Sequence, residues 1–296
     1  MNAFKFQVSD AWLRLYENIA SDPGIVLLLG APDTGKTTLA HFLTYKSMQG
    51  GANVSYIDGD LGQSVVGPPT TLGMASPVRP PVDMEAIGWD RLYFIGATSP
   101  AAHLLATAAG IKRLCGLAKA AGSDIVVVDT SGLVAGAMGF ELKFYKIQLL
   151  APRHIVAIQK NSEVEHILRA CHRRQAIKIH RLSPGQEVQP RSPEVRRAYR
   201  ATKFQRYFKN CSRKTVSLRD VAFVHPELPL LSYERMDEGL HGRLVGLNDE
   251  AYFALALGIW EGVNPDTHEV TLLTPWEDMS TVTFIHMGDI SISMEE

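Results

Sequence analysis

Apolar and polar positions along the chain follow two different periods. Trp12, Leu13, Leu15, Tyr16 and Ile19 recur at helical spacing and predict a short leading helix. Ile25–Leu29 is instead a continuous apolar run closed by glycine, the pattern of a strand buried on both faces of a parallel sheet. Val54–Ile57, Leu92–Ile95, Ile125–Val128 and Ile155–Ile158 repeat that pattern, and stretches between them, such as Thr37–Gln49 and Ala101–Ala121, read as helices. Strands alternating with helices predict an α/β domain with a mainly parallel, doubly wound sheet, whose ligands bind at the carboxyl ends of the strands. From about Ser217 the texture changes. Val245, Phe253–Leu257, Val270–Leu273 and Val282–His286 read as short strands between Gly, Pro, Asn and Asp turns. The expected division is therefore residues 1–216 for the α/β domain and 217–296 for a small, β-rich C-terminal domain.

Composition narrows the class. A chain of 296 residues is long for one compact core, in keeping with a large and a smaller unit. Apolar residues at 46% and charged residues at 21% match an ordinary globular enzyme. No run approaches the roughly 18 apolar residues of a membrane span, so no membrane partner is expected. Met1–Asp10 lacks the basic stretch and apolar run of a secretory signal. Cys115, Cys171 and Cys211 lie far apart without CxxC pairing, and none of His172, His180 or His286 has a partner at metal-ligand spacing. Both facts argue against a disulfide framework or zinc site, and the cysteines fit a reducing cytoplasm.

The net charge of −1 conceals an asymmetry. Between Arg173 and Lys214 the acids are Glu187 and Glu194, against thirteen Lys and Arg. The window carries about +11 and the rest of the chain about −12. Such a block is either a solvated helix face or, beside a phosphate site, a surface for an anionic substrate.

A phosphate site is present. Gly30, Ala31, Pro32, Asp33, Thr34, Gly35, Lys36 and Thr37 match GxxxxGK[ST] in full, directly after a strand and opening a helix, with Thr38 following. Glycines let backbone N–H groups turn inward to phosphate oxygens, and the helix adds its positive N-terminal end. Lys36 should reach the β- and γ-phosphates of ATP or another nucleoside triphosphate, and the Thr37 hydroxyl should ligate Mg²⁺.

Acids follow the next strand. Val54–Ile57 runs into Asp58-Gly-Asp60-Leu-Gly-Gln63. Phosphoryl transfer needs a carboxylate to hold the metal's water or to accept the proton of an attacking hydroxyl. Asp60 is the candidate for that acid, with Asp58 in support of the metal. The alternative is that DGD simply makes a turn. Asp129, at the end of Ile125–Val128, is a competing support for Mg²⁺, and the division of labour between Asp60 and Asp129 stays open. Thr130-Ser-Gly132 supplies hydroxyls and flexible backbone at the same sheet edge.

A helical lid is expected at about residues 185–213. Ser192 is a natural N-cap, Pro193 the first helical residue, and Glu194 suits the first turn. Arg196, Arg200 and Lys203 then share one face, and Arg191 stands just before the cap. An arginine that swings in with a lid supplies positive charge to a migrating phosphoryl group. Arg197, Arg206 and Arg213 read as solvated surface. Tyr199, Phe204, Tyr207 and Phe208 read chiefly as anchors of the lid helix.

These residues resemble the polynucleotide 5′-hydroxyl-kinase family, whose eukaryotic members act in RNA maturation. The matching blocks are GAPDTGKTT from Gly30, DGDLGQ from Asp58, FIGATSP from Phe94, VVVDTSG from Val126 and RSPEVRRAYRATKFQRYF from Arg191. The resemblance implies a P-loop NTPase domain that binds ATP and Mg²⁺ through Lys36 and Thr37. It implies that Asp60 orients or deprotonates the 5′-hydroxyl of an RNA end and that Gln63 helps to hold it; Asp58 is a further substrate-site candidate, and the choice between RNA and DNA stays open. Arg191 and Arg196 correspond to the lid arginines, while Thr98, Thr130 and Gly132 look like a clasp on the terminal nucleotide. Leu133 stands where many members carry tryptophan, which removes a stacking face for a base. Two other readings use the same scaffold: a nucleoside or small-molecule kinase, and an assembly factor that binds ATP without transferring phosphate.

Overall fold

The computed structural model describes residues 8–185, 190–224 and 239–293. Residues 186–189 of the expected lid and 225–238 of the expected C-terminal region lie outside the described residues. The chain begins with helix α1 (Asp10–Ser21), then β1 (Ile25–Gly30), α2 (Lys36–Gln49), β2 (Val54–Gly59), β3 (Thr71–Ala75) and β4 (Arg91–Phe94). Next come α3 (Leu104–Ala120), β5 (Ile125–Thr130), α4 (Gly136–Leu150), β6 (His154–Ile158), α5 (Glu165–Arg169), β7 (Lys178–Leu182) and α6 (Pro193–Phe208). The remaining strands are β8 (Ser212–Ser217), β9 (Ala222–Val224), β10 (Arg243–Asn248), β11 (Ala254–Asn264), β12 (Glu269–Thr274) and β13 (Phe284–Ser291).

The parallel part of the sheet runs from its edge as β7-β6-β1-β5-β2. Its apolar runs are continuous because each strand feeds two cores. Ile25, Leu27 and Leu29 of β1 join Val126 and Val128 of β5 on one face, against Ile111 and Leu114 of α3 and Ile147 of α4. Val26 and Leu28 join Val127 on the other, against Ile19 of α1 and Leu39, Phe42 and Leu43 of α2. Side chains that alternate between two covered faces leave no polar position in the strand. Each buried Leu, Ile or Val contributes roughly 1.5–3 kcal/mol of transfer free energy. The α/β, doubly wound reading therefore holds.

Beyond β2 the pairing turns antiparallel, through β3, β4, β11 and β10 to β13, with β9 parallel beside β13, while β12 pairs β11 and β8 pairs β12. A third core gathers Val245, Trp260, Val270, Leu272 and Ile285 of this β-rich region. A fourth joins it to the rest: Leu92 and Phe94 of β4, Phe204 and Phe208 of α6, and Leu244, Leu257 and Ile259. Phe204, Tyr207 and Phe208 anchor α6 there, the Tyr207 hydroxyl accepting the Leu257 N–H at 2.8 Å, whereas Tyr199 is not part of this core.

Several boundaries differ from the sequence expectation. Helix α3 starts at Leu104, not Ala101, because Pro100 closes a turn that takes the His103 N–H at 2.9 Å. β4 stops at Phe94, and Gly96 then adopts a positive φ of 84°. β11 is not short: it runs eleven residues through Gly258 and Gly262, with an irregularity in pairing between Trp260 and Gly262 in place of a turn. β3, β7, β8 and β9, and helices α4 and α5, were not among the expected elements.

Candidate functional site

The loop after β1 bends tightly into α2. Asp33 has φ 52° and Gly35 φ 86°, the latter in the left-handed conformation that glycine adopts without strain. Lys36 is the first residue of α2 and is buried, its Nζ donating to Ala31 O at 2.7 Å. Burial pushes this amine below the usual lysine range, while Asp129, Asp60 and Asp33 oppose the shift. The Thr34 hydroxyl also donates to Ala31 O, at 3.0 Å.

Parallel register sets Asp58 of β2 beside Asp129 of β5 at the carboxyl ends of their strands. Asp129 is buried and accepts the Thr37 hydroxyl at 2.6 Å and its neighbour's N–H, from Thr130, at 2.8 Å. Burial raises its pKa, with Lys36 and the Thr37 bond pulling the other way. Asp58 is fully enclosed and accepts three backbone N–H groups: Asp60 at 3.0 Å, Val65 at 2.6 Å and Val66 at 3.0 Å. Burial and the nearby Asp129 charge push it up to about 7. It ties down the 60–66 loop and does not line the cavity.

Asp60 does line it. Its Oδ1 accepts Gly62 N and Gln63 N, both at 3.0 Å, so its own turn holds the carboxylate still and leaves Oδ2 without a partner among the described residues. The cavity measures about 760 Å³. Its wall includes residues 32–38 of the phosphate loop, Asp60 and Gln63, Thr98, Ser131–Leu133, and the lid residues Arg191, Arg196, Tyr199 and Arg200. Gly132 lies against the loop: a Cβ there would fall 2.5 Å from Pro32 N, so no larger residue fits. Thr130 is not on the wall, since its hydroxyl donates to Leu28 O at 2.8 Å.

Helix α6 and the residue before its cap cover this space. As expected, α6 begins at Pro193 with Ser192 as its N-cap, the hydroxyl accepting Val195 N. Asp33 Oδ2 accepts both the Arg191 backbone N–H at 3.0 Å and Arg196 Nη2 at 2.5 Å. Arg191 Nη1 also donates to Gln63 Oε1 at 3.2 Å. One turn on, the Tyr199 hydroxyl is 2.9 Å from Ser64 O and 3.1 Å from Glu85 Oε1, and Lys203 lies 3.6 Å from the same carboxylate. Arg200 faces the cavity beside Arg196 and Arg197, and burial with those charges depresses its pKa.

Thus Lys36, Thr37, Asp60, Gln63, Thr98, Gly132, Arg191 and Arg196 share one cavity, Asp129 touches it through Thr37, and Asp58 and Thr130 stand behind its wall. Ser131 lies on the wall as part of the expected Thr130–Gly132 segment, and Tyr199, Arg200 and Glu85 are further wall residues. The Ser131 hydroxyl is buried without a partner among the described residues. Among the described residues no group of three or more His, Cys, Asp and Glu could hold a metal by itself, and no helix is long and apolar enough to cross a membrane.

Residues 30–210 match the family described as mRNA cleavage and polyadenylation factor CLP1 P-loop. The chain is 28% identical to a polyribonucleotide 5′-hydroxyl-kinase of Methanocaldococcus jannaschii, over 90% of this chain and 86% of that protein. It is 30% identical to one of Pyrococcus abyssi, over 91% of this chain and 88% of the relative. Among solved structures, a chain of the wild-type Clp1p–Pcf11p complex superposes with a TM-score of 0.71 at 13% identity, covering 95% of this chain and 78% of that one. That likeness shows a shared fold.

Proposed function

This chain belongs to the CLP1 P-loop family, and we propose that it is an ATP-dependent polyribonucleotide 5′-hydroxyl kinase. The observation that carries the reading is the convergence of the phosphate loop, the Asp60 carboxylate and the two lid arginines on one cavity. The names of the archaeal relatives, aligned over nearly their whole length, support the same activity.

In this reading, loop N–H groups and Lys36 hold the β- and γ-phosphates of ATP or another nucleoside triphosphate. The oxygen donors Thr37, Asp129 and Asp60 fit Mg²⁺, which takes one or two protein oxygens and completes its shell with phosphate and water. When bound it neutralises charge on the phosphate oxygens. Asp60, steadied by Gly62 and Gln63, orients the 5′-hydroxyl and accepts its proton. Gln63, Thr98 and Gly132 hold the terminal nucleotide. The Arg196 guanidinium moves from Asp33, and that of Arg191 from Gln63, onto the transferring group, where they stabilise its equatorial oxygens. Residues 1–216 carry this apparatus, and residues 217–296 serve as the seat of the lid. Three free cysteines, two of them buried, suit a reducing cytoplasm.

The test is transfer of labelled γ-phosphate from ATP to matched 5′-hydroxyl RNA and DNA oligonucleotides, with nucleosides as controls. RNA ends are expected to be phosphorylated, DNA ends less well. Transfer to no end, or transfer to free nucleosides alone, overturns the reading.

A further inference from the structure

Helix α4 carries two lysines, Lys143 and Lys146, that are wholly buried and take no part in the roles above. Lysine is rarely enclosed, so each demands a local account. Lys143 has one. Its Nζ donates to Thr130 Oγ1 at 2.9 Å and to Ser131 O at 2.6 Å. The Thr130 hydroxyl in turn donates to Leu28 O at 2.8 Å. The donor count closes for a neutral amine, whose two N–H bonds meet two acceptors. A third proton would find no acceptor among the described residues, and burial drives the group well below the ordinary lysine range.

This relay runs from α4 through the end of β5 to the main chain of β1, two residues before Gly30. It fixes the height of Ser131 and Gly132, which form cavity wall where Gly132 abuts Pro32. Ser131 contributes to that wall, while its own hydroxyl is enclosed behind it and unpartnered among the described residues. Holding the Ser131 carbonyl from behind determines what the segment presents in front.

We propose that Lys143 is a positioning residue for the acceptor: its two hydrogen bonds set the 131–133 segment at the height from which it grips the 5′-terminal nucleotide of RNA. The inference deepens the kinase reading and rests on it. Lys143 is absent from the cavity wall, so it acts through this segment and not on the reacting atoms.

Lys143→Met keeps the stem and removes both bonds. The expected result is a KM for 5′-hydroxyl RNA raised about ten-fold, the worth of one buried hydrogen bond, with kcat and ATP affinity held within about two-fold. Thr130→Val, which removes one acceptor of the relay, should raise KM in the same direction, and the double variant should go little beyond the larger single effect. An unchanged KM in Lys143→Met, a loss confined to kcat, or additive effects in the double variant would each overturn the proposal. Should the methionine variant not fold, Thr130→Val carries the test alone, with the KM and kcat criteria unchanged. A wild-type chain that phosphorylates no RNA end refutes the kinase reading and this proposal together. A wild type that does so while Lys143→Met matches its KM refutes the positioning role only.

Discussion

Arg196 of the lid helix meets Asp33 of the phosphate loop at 2.5 Å, and the same carboxylate oxygen takes the backbone N–H of Arg191. An acid inside the loop thus engages the guanidinium of Arg196 and the main chain of Arg191. The pair is partly exposed, so its own contribution to stability is small. Its effect is directional: it holds the Arg196 guanidinium on the phosphate loop. Asp33→Asn retains an acceptor for the Arg191 N–H and weakens the hold on Arg196. We expect kcat to fall about five- to ten-fold, with a smaller loss when Arg196 is already changed to Gln. Steady-state kinetics on the two single variants and the double variant measure this; additive losses would separate Asp33 from Arg196.

Lys36→Ala should reduce turnover by at least about 10³-fold with the fold preserved, because a charge at the β- and γ-phosphates acts most strongly in the transition state. Arg196→Gln should cost about 10²-fold in kcat with little change in ATP affinity. Single-turnover assays with ATP binding measured in parallel distinguish the two. Retention of wild-type turnover in Lys36→Ala would remove the phosphate loop from the chemistry.

Leu133 lines the cavity at the end of the 131–133 segment. Leu133→Trp would supply an aromatic face for the terminal base, and stacking is worth roughly 1–3 kcal/mol per base. The expected outcome is a KM for RNA lowered five-fold or more, with the slope of log KM against log salt unchanged, since no phosphate contact is added. A titration across salt concentrations checks both parts. A higher KM would mean that the site has no room for a ring there.

Lys146 is enclosed without a hydrogen-bond partner among the described residues, and burial brings its pKa down from 10.5 to about 7 against the charges of Asp60, Cys115 and Asp129. The unfolded chain takes up this proton near pH 10.5, the folded chain only near 7. Stability therefore falls as pH drops through that window and is flat, as far as this group is concerned, below it. Lys146→Met should stabilise the protein by ~1–4 kcal/mol at pH 7 and by little at pH 10.5. Thermal melts of both proteins from pH 6 to 10 test the sign; curves that stay parallel would exclude it.

How far the sequence could be read depended on the range of the interaction. The phosphate loop, its strand and the start of α6 were legible because Gly35, Ser192 and Pro193 act within a few residues of themselves. The two acids Asp58 and Asp60 looked alike from sequence. Only the folded loop shows that the first is spent on the N–H groups of residues 60, 65 and 66, and that the second lines the cavity. β3 escaped notice since Thr71-Leu-Gly-Met-Ala has no long apolar run, and β7 and β8 since edge strands carry lysines and arginines. Lys143 was invisible for a further reason: its partner Thr130 sits on another element, and no local pattern distinguishes a buried lysine from an exposed one.

The seating of Phe204 and Phe208 among Leu244, Leu257 and Ile259 clamps α6 at its C-terminal end with apolar packing, whereas its N-terminal end is held by polar contacts to Asp33, Gln63 and Glu85. In the proposed mechanism, raising Arg191 and Arg196 off the phosphate loop would pivot the helix about those two rings. A perturbation that loosens the clamp, far from any nucleotide, would change how fast the gate swings and so would register as a change in product release rather than in chemistry.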